Sequence, residues 1–128
     1  MKRRPQLLVV DDDVELCESL VDALTDAGYE PVAACDGMGA LRLSRDGRAP
    51  SLILLDLMMP DMNGWQFREQ QLLDKGMKDI PVVVMTASRD LRRHPVQADA
   101  FLFKPFMLED LLDQVQRVVR PGRHARST

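Results

Sequence analysis

Side chains able to do chemistry recur at one kind of place in this sequence, directly after short apolar runs. Asp11, Asp12 and Asp13 follow Leu7–Val10; Asp56 lies in the aliphatic run Leu52–Leu57; Thr86 and Ser88 follow Pro81–Met85; Lys104 follows Ala100–Phe103. An ionised carboxylate beside four aliphatic residues is costly to desolvate unless it is paired. Bringing further carboxylates to it adds repulsion, about 1 kcal/mol at 4 Å in water and about 4 kcal/mol at an effective dielectric near 20. A hard divalent cation relieves that crowding, and Mg²⁺ typically takes one or two carboxylates together with waters and phosphate oxygens. Asp11, Asp12 and Asp56 therefore read jointly as a cation site with Lys104 as a further positive charge, whereas Asp13 alone reads as a helix cap. A carboxylate beside Mg²⁺ and an ammonium group can attack phosphorus and form an acyl phosphate. Such a transfer needs in-line positioning and neutralisation of three equatorial oxygens. Mg²⁺, Lys104 and the Thr86 hydroxyl can each serve one, and backbone N–H groups after Asp56 can add more. No histidine lies near these positions, so a phosphohistidine donor has to come from another molecule; His94 reads as a loop residue.

These residues lie up to 93 positions apart, between Asp11 and Lys104, so a fold must gather them. Leu7–Val10, Val32–Cys35, Leu52–Leu57, Pro81–Met85 and Ala100–Phe103 read as strands, and Pro31 places the second of them at a sheet edge. Leu16, Leu20, Val21, Leu24 and Ala27 recur at helical spacing, with Gly28 as the stop. Met38–Arg45 reads as a short helix, Trp65–Lys75 as another between Asn63 and Gly76, and Leu108, Leu111, Leu112, Val115, Val118 and Val119 as an apolar stripe ended by Pro121. Alternating strands and helices, with strands apolar on both faces, predict an α/β fold with a parallel sheet covered on both sides. In such sheets ligands sit outside the carboxyl ends of the strands, which is where the polar residues fall.

Composition narrows the class. The chain has 128 residues, 45% hydrophobic and 29% charged, as expected of one globular domain. Its net charge is −3 although residues 117–128 hold four arginines and no acid, so the body is more acidic still, which argues against direct nucleic-acid binding. Lys2-Arg3-Arg4 before Leu7–Val10 imitates a signal peptide, but the acidic triplet ends the apolar run after four residues, and no run reaches the length of a membrane span. A cytoplasmic location without membrane insertion is expected. Cys17 and Cys35 have neither CxxC spacing nor clustered histidines and read as reduced, packed thiols. Trp65 reads as a partly exposed packing residue.

The stretches LLVVDDD, SLILLDLMMPDMNGW, PVVVMTAS and AFLFKPF, in that order, resemble the receiver domain of two-component response regulators over residues 6 to about 120. The resemblance implies a doubly wound, flavodoxin-like five-stranded parallel sheet of order 2-1-3-4-5, as residues 6–120, followed by a short basic tail, residues 121–128, too short for an output domain. It implies Asp56 as phosphoacceptor, Asp11 and Asp12 as the acid pair with Asp12 the more direct Mg²⁺ ligand, and the backbone carbonyl of Met58 as a further ligand. It gives Thr86 and Lys104 contacts to the phosphoryl group, makes Thr86 and Phe101 the switch pair, has Pro60 and Gly64 shape the loop after strand three, and predicts a cis Lys104-Pro105 bond. The partners implied are a sensor histidine kinase or histidine phosphotransfer protein, docking along the first helix near Asp11–Leu20, and a downstream protein read by the switched surface. The protein is then a signalling acceptor rather than an enzyme, promoting only its own phosphorylation and dephosphorylation.

The sequence departs from the family in three places. Only 18 positions separate Thr86 from Lys104, a short span that holds Pro95 and few apolar residues, so the helix between strands four and five is expected to be short or irregular. Met58 and Ser88 offer little to orient hydrolytic water, which implies slow self-dephosphorylation. Met107 stands where a capping side chain is common, which implies a loose start to the last helix. Three rivals have specific requirements. A Mg²⁺-dependent hydrolase with an aspartate nucleophile would want an acid two positions after it, where Met58 stands; a flavin binder would want a glycine- and hydroxyl-rich loop in place of Asp11-Asp12-Asp13; a docking module indifferent to phosphorylation would not need the full acid set with Thr86 and Lys104.

Overall fold

Five short apolar segments form the strands of one parallel sheet: β1 (Gln6–Val10), β2 (Glu30–Ala34), β3 (Leu52–Asp56), β4 (Val82–Thr86) and β5 (Ala100–Phe103), in the spatial order β2-β1-β3-β4-β5. The computed structural model describes residues 4–46, 49–87, 91 and 94–119. β3 and β4 are buried at every position, the requirement that made their sequences continuously apolar. Registers bring Val10 opposite both Ala34 and Leu55, Asp56 opposite Met85, and Thr86 opposite Phe103. The residues that follow the strands therefore leave the sheet along one rim.

Among the described residues four helices cover the two faces: α1 (Val14–Asp26), α2 (Gly37–Asp46), α3 (Gly64–Leu72) and α4 (Leu108–Val119). Alternate strand residues serve opposite cores. Leu7, Val9, Leu54, Val83 and Met85 pack with Leu20 and Leu24 of α1 and Leu111, Val115 and Val118 of α4. Leu8, Val10, Ile53, Leu55 and Val84 pack with Leu41 of α2 and Phe67 of α3. Asp13 caps α1 by accepting the Leu16 N–H at 3.1 Å, and Gly28, at φ +99°, turns the chain out of it, a conformation that a Cβ disfavours. Asn63 and Gln66 form a reciprocal capping box at the start of α3. At the start of α4 the Met107 carbonyl accepts the Asp110 and Leu111 N–H groups.

Among the described residues between β4 and β5 none is helical, in keeping with the thin apolar content of that span. Leu91, Val96 and Ala98 nevertheless lie against the core shared by α2 and α3. Most boundaries shift by a single residue, and two differ from the sequence reading by more. β2 begins two residues earlier, at Glu30, because an edge strand exposed along part of its length shows little apolar contrast. α3 ends at Leu72 rather than Lys75, because Asp74 starts a turn in which its carboxylate accepts the Gly76 N–H at 2.8 Å and its carbonyl accepts the N–H groups of Met77 and Lys78. Ser88 and the basic tail 121–128, both singled out from sequence, lie outside the described residues.

Candidate functional site

At the end of β1 the chain buries Asp11 completely and leaves Asp12 exposed. Asp11 is held from all sides. Its N–H donates to the Ala34 carbonyl at 3.2 Å, its Oδ1 accepts the Asp13 N–H at 2.9 Å, and its carbonyl accepts the Cys17 thiol at 3.3 Å. Its Oδ2 accepts the Lys104 Nζ at 2.7 Å, which joins the two ends of the sequence span across the rim. Asp56, the last residue of β3, is only 3% exposed. Its Oδ1 accepts the Met58 N–H at 3.3 Å and faces the Lys104 Nζ at 3.7 Å. One carboxylate oxygen from each of Asp11, Asp12 and Asp56 lies within 4.8 Å of the others.

Electrostatics follow from this crowding. Burial, then the charge of Asp11 and more weakly that of Asp12, push the Asp56 carboxyl up to about 6, against the opposing pull of Lys104 and the Met58 N–H. Burial alone would lower Lys104, but its hydrogen bond to Asp11 and the charges of Asp56, Asp11 and Asp13 outweigh it and hold the ammonium above its ordinary value. Three carboxylates against one ammonium leave two negative charges, which a divalent cation balances. The donor set, all carboxylate oxygens with one exposed member, suits a hard cation that keeps part of its water. Magnesium therefore fits these residues, with Asp11, Asp12 and Asp56 as the side chains to hold it.

The remaining sequence-predicted residues surround this centre. Thr86 is fully buried at the end of β4, and its carbonyl accepts the Lys104 N–H at 2.9 Å, so the hydroxyl-bearing residue and the ammonium-bearing one are joined through the backbone. Met58 is 57% exposed and is fixed beside Asp56 through its own N–H. Phe101 stands on β5 opposite Val84 and is 37% exposed. The Lys104-Pro105 bond is cis. Gly64 N–H donates to the Leu57 carbonyl at 3.0 Å, and a Cβ on Gly64 would stand 2.5 Å from the Asp56 carbonyl oxygen. The loop after β3 therefore closes on the peptide of Asp56 only because residue 64 has no side chain.

Sequence reasoning missed two participants. Cys17 touches the Asp11 carbonyl, and burial followed by the Asp11 charge pushes its thiol up to about 11; its place six residues after Asp11, on the inward face of α1, was the available signal. Trp65 does more than pack: its indole N–H donates to the His94 carbonyl at 2.8 Å.

Comparison with known proteins places this arrangement. Residues 7–116 match the sequence model of the response regulator receiver domain. The transcriptional regulatory protein CusR of Escherichia coli K12 is 34% identical over 122 residues, which cover 91% of this chain and 52% of CusR. The chain thus spans about half the length of that curated relative. Among solved structures, the chemotaxis protein CheY4 of Vibrio cholerae superposes with a TM-score of 0.82 at 32% identity, covering 91% of this chain and 99% of CheY4. The response regulator TrrA of Thermotoga maritima, in complex with Mg²⁺-BeF, gives 0.79 at 29% identity, covering 89% and 98%.

Proposed function

From the premise that the chain belongs to the response regulator receiver family, we propose that Asp56 is its phosphoacceptor and that Asp11, Asp12, Asp56 and the Met58 carbonyl hold Mg²⁺ beside it. Receiver domains of this family are phosphoacceptor signalling modules of two-component systems, and histidine kinases supply their phosphoryl groups. The observation that carries the residue assignment is the meeting of three carboxylates within 4.8 Å under the Lys104 ammonium.

The Met58 N–H bonds Asp56 at Oδ1, so we assign Oδ2 as the attacking oxygen. Oδ2 attacks phosphorus in line. The O–P bond forms as the N–P bond of a phosphohistidine breaks, and the electron pair leaves with the imidazole nitrogen. Asp11, Asp12, Asp56 and the Met58 carbonyl would hold Mg²⁺, which when bound would offset charge on the phosphoryl oxygens and favour the ionised form of Asp56. Lys104 moves its charge towards the transferred group while staying bonded to Asp11. Thr86 supplies a hydroxyl at the end of the neighbouring strand, and its shift towards the phosphoryl group is coupled to Phe101.

Asp12 and Val14 are exposed beside this rim, so we place the donor, a histidine kinase or a histidine phosphotransfer protein, over the first half of α1. The switched surface is read by a protein partner, with no direct contact to nucleic acid. Residues 6–120 form the receiver unit. Among the described residues no helix is long and apolar enough to cross a membrane, and we assign the protein to the cytoplasm. An apolar, exposed Met58 orients no water towards the acyl phosphate, so dephosphorylation is slow and the protein acts on no substrate but itself.

The test is incubation with Mg²⁺ and acetyl phosphate followed by intact mass measurement. One phosphoryl group should be gained, and Asp56→Asn or chelation should abolish the gain. No gain in the wild type, or an undiminished gain in Asp56→Asn, overturns the assignment.

A further inference from the structure

The stretch from residue 94 to 99 is held sideways by α3. Trp65 Nε1 donates to the His94 carbonyl at 2.8 Å, and Arg68 Nε donates to the Gln97 carbonyl at 2.9 Å. The two donors are three positions apart and share one helix face, and their acceptors are three positions apart on a segment without regular structure. Backbone carbonyls in such a segment need donors from elsewhere, and α3 supplies two. Trp65 also meets the His94 ring edge-on, with centroids 6.3 Å apart.

Arg68 is costly to keep where it is. It is 9% exposed, and burial lowers the pKa of its guanidinium while the charge of Asp99 opposes that shift. It earns its place by joining three parts of the fold. Its Nη1 donates to Gln71 Oε1 at 2.8 Å, and Gln71 Nε2 donates to the carbonyls of Met77 and Ile80, both at 2.9 Å. On the other side Asp99 is tied to β4, its Oδ1 accepting the Val82 N–H at 3.0 Å and its own N–H donating to the Val82 carbonyl at 2.8 Å. A buried charge with this many partners is strongly destabilising to break.

The same helix starts on the peptide of Asp56. Gly64 N–H bonds the Leu57 carbonyl, its Cα packs against the Asp56 carbonyl, and Trp65 is the next residue. The segment that Trp65 and Arg68 hold lies between Thr86 and Lys104, which flank Asp56 on the other side. One closed circuit therefore runs from Asp56 through α3 to residues 94–97 and back through β4 and β5.

We propose that Trp65 and Arg68 are positioning residues that strap residues 94–99 to α3, and that this strap carries a change at Asp56 into the surface formed by α3 and residues 94–99. The coupling half rests on Asp56 being the phosphoacceptor; the strap itself does not. Residues 94–99, which carry no helix, are then coupled to α3 by side-chain to main-chain hydrogen bonds.

The test uses the full chain, its single tryptophan, and two measurements. Hydrogen exchange in Mg²⁺-free buffer compares wild type, Trp65→Phe and Arg68→Met. Each variant should speed exchange at Asp99, whose N–H donates to the Val82 carbonyl, by about tenfold, the scale of one lost hydrogen bond, with β1 and β3 amides unchanged. Trp65 emission in Mg²⁺ is then read before and after beryllium fluoride. Wild type should show a shift, Arg68→Met should lose at least half of it, and Arg68→Lys, which keeps a donor, should restore part. Wild-type exchange at Asp99 in both variants overturns the strap. A silent tryptophan in the wild type, or an undiminished shift in Arg68→Met, overturns the coupling. Should Arg68→Met accelerate exchange throughout the sheet, Trp65→Phe, which removes one N–H and keeps an aromatic ring, decides the first comparison. Failure of acetyl phosphate to label Asp56 strikes the phosphoacceptor reading instead and leaves the Mg²⁺-free exchange result standing.

Discussion

Asp56→Asn removes one of three crowded carboxylates, so the metal-free fold should become more stable even as the proposed chemistry is lost. The folded state raises the Asp56 carboxyl from 3.8 to about 6. Between those values the folded chain keeps a proton that the unfolded chain has released, so wild-type stability falls as pH rises through that window and stays lowered above it. Each pKa unit corresponds to 1.36 kcal/mol, which makes the penalty about 3 kcal/mol at pH 7 at most; relaxation around the amide reduces the measurable gain to about 1–3 kcal/mol. Urea unfolding followed by circular dichroism, in chelator and from pH 4 to pH 8, reads it directly. The variant should match wild type near pH 4 and exceed it by the full amount at pH 7. Mg²⁺ should then close the gap, since a ligand at 100 times its Kd stabilises the protein that binds it by about 2.7 kcal/mol and the variant has lost one ligand. A variant no more stable than wild type at pH 7 in chelator, or a difference independent of pH, would mean that carboxylate crowding does not destabilise the metal-free fold.

Other perturbations probe the parts that hold the site. Gly64→Ala places a Cβ 2.5 Å from the Asp56 carbonyl oxygen and 2.6 Å from the Leu57 Cα; with backbone on both sides the cost should be about 2–3 kcal/mol, read as a lowered urea midpoint, and wild-type stability would show that the loop is loose. Asn63→Ala removes the side-chain acceptor for the Gln66 N–H and should cost about 1 kcal/mol by the same measurement. Cys17 is buried with its thiol pushed up to about 11, while Cys35 is exposed. Iodoacetamide at pH 8 should therefore label Cys35 first by peptide mass mapping, and equal rates at the two cysteines would contradict the burial.

The rim was legible in the sequence because desolvation forces a simple pattern: aliphatic residues fill strands covered on both faces, and the first polar residue marks where each strand leaves the core. That logic located Asp11, Asp56, Thr86 and Lys104 without knowledge of the pairing. It failed where the deciding contact is to the main chain. Trp65 and Arg68 reach carbonyls 29 positions away, and no side-chain pattern advertises an acceptor that every residue carries. The early end of α3 escaped for a similar reason, since Asp74 diverts the chain through its own backbone turn while Leu72 and Leu73 still look helical. The lack of regular structure over residues 94–99 was legible in outline from Pro95 and the sparse apolar residues; what fixes that segment in place was not.

The most direct measurement of the central claim is to locate the phosphoryl group. After incubation with Mg²⁺ and acetyl phosphate, borohydride reduction converts an aspartyl phosphate to homoserine, and tandem mass spectrometry of the peptides that contain residues 11–13 and residue 56 reads its position. Homoserine is expected at position 56, dependent on Mg²⁺. Homoserine at position 12 or 13 instead, or an unmodified Asp56 under conditions that leave the protein folded, would contradict it.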